Sequence, residues 1–134
     1  MIWSILKHFK YTEAWGDPDQ MNDALLLIID MVRHRFPSNC YFNIHCAYET
    51  RSNPDSLHPL GLAIDFHISN MPLIQAANHL KDIIRTLGFE DILEIGIYPE
   101  WNQPGFHIGL QKDGGSWAQI AGKYVAFDLA LEAA

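Results

Sequence analysis

The first apolar pattern along the chain has the spacing of an amphipathic helix. It is predicted to span residues 21–36, because residues 17–19 supply start signals (Asp-Pro-Asp) and Pro37 supplies a stop. The positions expected to face the core are Met21, Ala24, Leu25, Ile28, Met31, Val32 and Phe36.

A second segment with the same period predicts a helix over residues 72–87. Ser69 or Asn70 is the expected N-cap, and Gly88 follows the last turn, where a glycine commonly ends a helix. Its apolar face is expected to consist of Leu73, Ala76, Ala77, Leu80, Ile83, Ile84 and Leu87.

Four shorter segments are rich in apolar, β-branched and aromatic residues and predict strands. They are residues 41–48, 61–68, 92–98 and 106–110. Polar, turn-rich segments at 49–59 and 99–105 predict loops, the first long enough to be functional, and the segment from Trp117 onward receives no assignment. The order of elements predicts an α+β fold.

Composition limits the size and partners of this fold. The chain has 134 residues, 49% of them hydrophobic, which suits one compact domain over residues 1–134. A net charge of −7 without a Lys/Arg cluster argues against nucleic acid and anionic membranes as main partners. No apolar run approaches the ~20 residues of a membrane span. The N-terminus has no secretory signal pattern, so the chain is expected to be cytoplasmic as synthesised.

The two cysteines are expected to stay unpaired. Cys40 and Cys46 are six residues apart in one extended segment, roughly 20 Å and therefore beyond disulfide reach. Both are predicted to be buried free thiols in a reducing compartment.

A carboxylate in an apolar strand gives the first indication of chemistry. Asp65 lies among Leu62, Ala63, Ile64 and Phe66, where burying its charge is costly unless a positive partner meets it. His58 precedes it by seven residues. A divalent metal is the simplest partner, so His58 and Asp65 are candidate zinc ligands, and a third ligand must come from elsewhere.

Period-two alternation selects His107 from the seven histidines as the candidate third ligand. It shares a strand face with Gly109, which is expected to leave space in front of it, while Phe106 and Ile108 face the core. On the other strand His67 shares a face with Asp65 and becomes a substrate contact, a hydrogen-bond partner of a ligand, or less readily a ligand itself. His34 and His79 are expected to be solvated on helix surfaces.

The motif Ser-x-His-x-x-Gly-x-Ala-x-Asp at residues 56–65, followed by Phe106-His107, resembles a family of zinc metallopeptidases. The family includes D-alanyl-D-alanine carboxypeptidases and phage endolysin L-alanyl-D-glutamate peptidases. The similarity extends from the Phe-x-x-x-Glu of residues 9–13, through the strand that ends at Tyr48 and the Tyr-Pro of residues 98–99, to Trp117.

The resemblance implies a fold, a cofactor and a substrate class. The fold would be a small hedgehog/D-Ala-D-Ala peptidase-like domain whose antiparallel sheet carries the zinc, with helices packed on one side. His58, Asp65 and His107 would bind Zn²⁺, and Ser56 would form a hydrogen bond nearby. The substrates would be peptides of the bacterial cell wall, which the protein would reach after its release, and a phage or prophage would encode it.

The sequence departs from the family at three functional positions. Where relatives carry the acidic general base, three residues before the last histidine, this chain has Pro104; Glu49 replaces an arginine, and Gly109 replaces an aspartate. Glu100 is then the first candidate for the base that accepts a proton from the attacking water, with Glu94 and His67 as alternatives.

Four residues are candidates for substrate binding, and two functions remain open. Arg51 could bind a substrate carboxylate, Trp101 could form a wall of a peptide groove, and Tyr48 could donate a hydrogen bond, beside Ser56. The first function is a zinc peptidase of the cell wall. The alternative is a catalytically inactive zinc-binding domain that serves as a cell-wall-binding or phage assembly module.

Overall fold

A computed structural model describes residues 2–132, with the side chains of residues 130–132 outside that description. The predicted domain of residues 1–134 therefore includes three positions, 1, 133 and 134, that lie outside the described residues. The elements are α1 (Ile2–Ile5), α2 (Asp23–His34), β1 (Phe42–Cys46), β2 (Ala63–Ile68), α3 (Leu73–Thr86), β3 (Leu93–Tyr98), β4 (Gly105–Leu110), β5 (Gly115–Ile120), β6 (Lys123–Val125) and α4 (Phe127–Glu132). Helices of residues 2–132 all lack the length and apolar content needed to cross a bilayer.

The protein is a small α+β domain built on a six-stranded sheet in the order β1-β2-β4-β3-β5-β6. The four predicted strands and both predicted helices are confirmed, each with ends within three residues of the prediction. The sheet is mostly antiparallel, as expected, with one exception: β3 and β5 pair in parallel. The segment without an assignment forms β5, β6 and α4.

The two faces of the sheet have different chemistry because side chains alternate along each strand. On one face Ile64 pairs with Ile108 and Phe66 with Phe106, and these four side chains are fully buried in the core with the apolar sides of α2 and α3. On the opposite face Asp65 pairs with His107. The core face thus fixes the strands whose other face carries the polar groups.

The buried face of helix α2 differs from the predicted face. Met31 is 46% exposed, whereas Leu26 and Ile29 are fully buried, so the prediction of Met31 on the core face is wrong. An unbroken apolar run allows two rotations of the helix, and tertiary packing selects one of them. Asn22, rather than residues 17–19, caps the helix by accepting a hydrogen bond from the Leu25 amide; residues 18–20 form a separate 3-10 turn.

The predicted N-cap of α3 and the predicted solvation of His79 are also wrong, whereas Gly88 follows the end of the helix as expected. The residue at the N-cap position is Pro72, which has no capping side chain. Asn70 instead donates to the Asn39 carbonyl at 2.7 Å, and the Ser69 hydroxyl donates to that of Tyr41 at 3.4 Å, so both hold the start of β1. The half-buried ring of His79 packs against Phe36, 4.6 Å between centroids.

Gly61, between the two motif residues His58 and Asp65, occupies a position that excludes a side chain. Its φ is +69°, and a Cβ there would lie 1.9 Å from the Gln20 carbonyl oxygen. Gly88 also has positive φ, +81°, but a Cβ there would meet nothing within 4 Å. We therefore expect Gly61→Ala to lower the free energy of unfolding by about 3 kcal/mol and Gly88→Ala by about 1 kcal/mol.

Urea denaturation of both variants measures this difference. Equal losses would show that the close approach of Gly61 to Gln20 has no cost beyond the backbone conformation.

Candidate metal centre

Asp65 and His107 meet because β2 and β4 pair directly at these residues. Nδ1 of His107 donates to Oδ1 of Asp65 at 2.8 Å, and both residues are buried, 8% and 9% exposed. The space next to Gly109 is not open as expected: a Cβ there would lie 2.7 Å from the side chain of Leu57 and 3.0 Å from that of Glu94. The glycine therefore makes room for Glu94 beside His107.

His58 reaches the same carboxylate from a 3-10 turn at residues 58–60, which ends at Gly61. Its Nε2 lies 3.4 Å from Oδ1 of Asp65, and its Nδ1 donates to the Ala47 carbonyl at 2.6 Å. The residue is 2% exposed. The Ala47 carbonyl thus fixes the orientation of the His58 ring from the side opposite Asp65.

His107 has the same arrangement with a different outer partner. Its Nε2 donates to Oε2 of Glu94 at 2.6 Å, so its Nδ1 is turned towards Asp65. Metal-binding histidines commonly donate their outer N–H to a carboxylate or a carbonyl, which fixes the ring. Glu94 and the Ala47 carbonyl occupy those positions here, and the inner nitrogens of both histidines face one carboxylate oxygen.

Cys46 joins this group through a β-bulge in β1. Ile44 pairs with Phe66, but Cys46 rather than His45 lies opposite Asp65, so one extra residue is accommodated at His45. The Cys46 sulfur lies 3.8 Å from Nδ1 of His58. Ligand atoms of Cys46, His58 and Asp65 all lie within 4.8 Å of one another, so these residues could hold a metal ion.

Two further charges lie beside the sulfur. The Cys46 thiol donates to Oε2 of Glu49 at 2.9 Å, and Nη2 of Arg51 donates to the same oxygen at 2.9 Å. The Arg51 guanidinium also lies 3.6 Å from the sulfur and 3.8 Å from Oδ2 of Asp65. Arg51 therefore connects the exposed Glu49 with the buried carboxylate.

The electrostatics of the centre favour the charged forms of His58, His107 and Asp65. Burial disfavours the imidazolium of His58, but hydrogen bonds with Asp65 and Cys46 outweigh it and raise its pKa to about 9. Burial acts likewise on His107, where Asp65 and Glu94 raise the pKa to about 9. Burial alone would raise the pKa of Asp65, yet its bonds to His107 and His58 lower it to about 2.

In the metal-free protein, protons on the nitrogens of His58 and His107 that face Asp65 thus occupy the positions where a cation would bind. Two imidazolium protons carry the same charge as one divalent ion, and every buried side-chain nitrogen and oxygen of residues 2–129 has a hydrogen-bond partner. A donor set of thiol, imidazole and carboxylate fits a zinc-like ion.

The centre opens into a cavity of about 550 Å³ on the polar face of the sheet. Its walls include Tyr98 and Trp101, whose rings stack 4.4 Å apart, and Trp117, whose indole N–H donates to the Tyr98 hydroxyl at 3.0 Å. Burial is the main reason why the pKa of Tyr98 rises to about 12. The Tyr98 hydroxyl is therefore neutral and held in place at physiological pH.

Three of the predicted substrate contacts border this cavity. They are Arg51, Ser56 and Trp101. The Ser56 hydroxyl accepts a hydrogen bond from the His58 amide at 3.3 Å, which matches the expected bond near the metal residues.

Three other predicted site residues lie elsewhere in the described part of the chain. Glu100 accepts a hydrogen bond from the Ala121 amide at 2.8 Å in the turn between β5 and β6. His67 pairs with His45, 2.5 Å between ring nitrogens, and borders a different depression. Tyr48 packs against the core. Their predicted roles receive no support from this geometry, whereas Glu94 borders the cavity.

Sequence reasoning missed residues that enter the centre through irregular or unassigned elements. Cys46 is a free thiol as predicted, but unlike the buried Cys40 it is only half-buried, and its sulfur contacts His58. A regular strand would place His45, not Cys46, opposite Asp65, so only the bulge could have indicated this. Trp117, which the resemblance included without a role at the site, and Tyr124 border the cavity from β5 and β6, two strands that were not predicted.

Comparison with protein-family models, with curated proteins and with solved structures finds no match for this chain. The arrangement of the described residues therefore carries the functional argument.

Proposed function

We propose that the protein is a zinc-dependent peptidase that hydrolyses peptide bonds of bacterial cell-wall peptides. The observation that carries this proposal is the convergence of Nε2 of His58 and Nδ1 of His107 on Oδ1 of Asp65, at 3.4 and 2.8 Å. The motif spacing, together with this convergence, supports a peptidoglycan metallopeptidase with a hedgehog/D-Ala-D-Ala peptidase-like fold.

His58, Asp65 and His107 would hold the zinc in this proposal. A bound zinc ion supplies Lewis acidity, which polarises a peptide carbonyl and makes water nucleophilic near neutral pH. The protein contributes fixed ring orientations, because the Ala47 carbonyl and Glu94 hold the outer nitrogens.

Proton handling is assigned to Glu94 rather than Glu100. Oε2 of Glu94 accepts from Nε2 of His107 at 2.6 Å, on the side of the ring away from the metal, and orients the ligand, so the proton acceptor at the cavity wall would be the second carboxylate oxygen, Oε1. The carboxylate of Glu100 is already bonded to the Ala121 amide. A carboxylate at the reacting position commonly contributes about 10²–10⁴-fold to the rate.

The substrate would lie between Arg51 and the stacked rings of Tyr98 and Trp101. The guanidinium offers charge-assisted hydrogen bonds to a peptide carboxylate, and the rings offer an apolar wall. Both border the cavity that contains the proposed metal residues.

Hydrolysis of purified peptidoglycan by the zinc-loaded protein tests the proposal, with Glu94→Gln and Glu100→Gln as a matched pair. We expect release of new amino or carboxyl groups that chelation abolishes. Glu94→Gln should lower kcat at least about 100-fold, whereas Glu100→Gln should keep it within a few-fold of the wild type. No turnover by the zinc-loaded wild type would exclude the peptidase.

A second candidate function is a catalytically inactive zinc-binding module for cell-wall binding or phage assembly. Pro104 favours it, because it stands where relatives carry the acidic base. The two candidates separate in the same experiment: a module binds zinc and sediments with peptidoglycan but releases no product.

A further inference from the structure

The bulge in β1 gives the centre a thiol that the sequence motif does not include. It places Cys46 opposite Asp65, on the sheet face that carries the metal residues. The sulfur is within 4.8 Å of a ligand atom of His58 and of Asp65. Ligand atoms of a tetrahedral zinc site, with bonds of about 2.0–2.3 Å, are about 3–4 Å apart, so small side-chain movements suffice.

Two charged side chains contact the Cys46 sulfur. The Arg51 guanidinium is 3.6 Å from the sulfur, and the Glu49 carboxylate accepts a hydrogen bond from the thiol at 2.9 Å. Cys40 differs: the residue is 1% exposed, and its sulfur lies 3.8 Å from the neutral Oδ1 of Asn39 and from the Asn70 carbonyl. The chain therefore holds one cysteine in a ligand environment and one in the core.

We infer that Cys46 is a thiolate ligand of the metal, beside His58, Asp65 and His107, so that the site selects a zinc-like ion over Mg²⁺ or Ca²⁺. Coordination releases the thiol proton to solvent. The inference rests on the metal binding proposed above and does not depend on peptidase activity.

A thiolate ligand changes what the centre can do. Three protein ligands leave a position for water or substrate, whereas four close a tetrahedral site. With Cys46 bound, the resting centre has no position for water, so the proposed hydrolysis would require Cys46 to leave the ion or the coordination number to rise to five.

Cobalt(II) titration of the wild type, Cys46→Ser and Cys40→Ser tests the inference. We expect a near-ultraviolet sulfur-to-cobalt charge-transfer band that saturates at one equivalent in the wild type. It should persist in Cys40→Ser and be lost in Cys46→Ser, while the weaker visible bands of bound cobalt remain.

The outcomes separate this inference from the proposed function. Visible cobalt bands without a charge-transfer band in the wild type would overturn the thiolate ligand and leave the His-Asp-His site intact. No cobalt binding would overturn both.

A second measurement on the wild type avoids any folding defect of the variants. In the metal-free protein, the half-buried Cys46 should react with a disulfide reagent while Cys40 stays protected, and saturation with zinc should slow that reaction at least tenfold. An unchanged rate in the zinc-saturated protein would overturn the inference.

Discussion

Asp65→Asn is expected to weaken zinc binding by at least 100-fold. The carboxylate is the shared partner of His58 and His107, and its charge compensates the cation in a buried site where an amide cannot. Competition with a chromophoric chelator measures the affinity directly. The same substitution should abolish any peptidase activity of the zinc-loaded protein.

Asp91→Asn is the matched control, because Asp91 is an exposed carboxylate that borders a different depression. Its zinc affinity should equal that of the wild type. Circular dichroism of metal-free Asp65→Asn separates a lost ligand from a lost fold. If Asp65→Asn folds and binds zinc as tightly as the control, the His-Asp-His centre is wrong.

Zinc affinity should rise steeply with pH, by up to about 100-fold per unit for two displaced protons. His58 and His107 each have a pKa of about 9 in the metal-free protein, so both carry protons at neutral pH that the metal must displace. The slope should flatten as the pH approaches 9. Calorimetric titrations in buffers of different ionisation enthalpy count the protons released.

The thiol of Cys46 would add a third proton to this count, and Cys46→Ser should therefore release one fewer than the wild type. An affinity independent of pH between 6 and 8 would contradict the assignment of His58 and His107 as ligands. Exposed His34, on α2, gives the control: His34→Gln should leave the proton count unchanged.

The same pKa values determine how the free energy of unfolding of the metal-free protein changes with pH. The folded pKa of both histidines exceeds their ordinary value of 6.5, so the stabilisation is complete below pH 6.5 and is lost as the pH rises to about 9. The Asp65 contribution is complete above pH 3.8 and disappears as the pH falls towards 2. Zinc should therefore stabilise the protein most at alkaline pH.

The placement of Asp65 opposite His107 could be anticipated because both strands are regular. Alternation over β2 and β4 puts the apolar residues on one face, which the core requires, and leaves the two polar residues on the other. The motif spacing then adds His58 from the preceding turn.

The identity of the neighbouring groups could not be predicted by the same means. Glu94 reaches His107 because β3 lies beside β4, an order of strands that alternation does not specify. Glu100 is turned away by a bond to the β5–β6 turn, a segment with no sequence assignment. Helix α2 shows a related limit, since its apolar run did not determine which side faces the core.

The extra residue at His45 has a consequence for how this site could change over evolutionary time. Loss of Cys46 would restore a continuous ladder and put His45 opposite Asp65, whereas loss of His45 would restore the same ladder and keep the sulfur there. The first of these deletions, without any exchange of the motif residues, would thus convert a sulfur-containing centre into one built from nitrogen and oxygen alone. Related chains that differ in the length of this strand would then share a motif and differ in their metal.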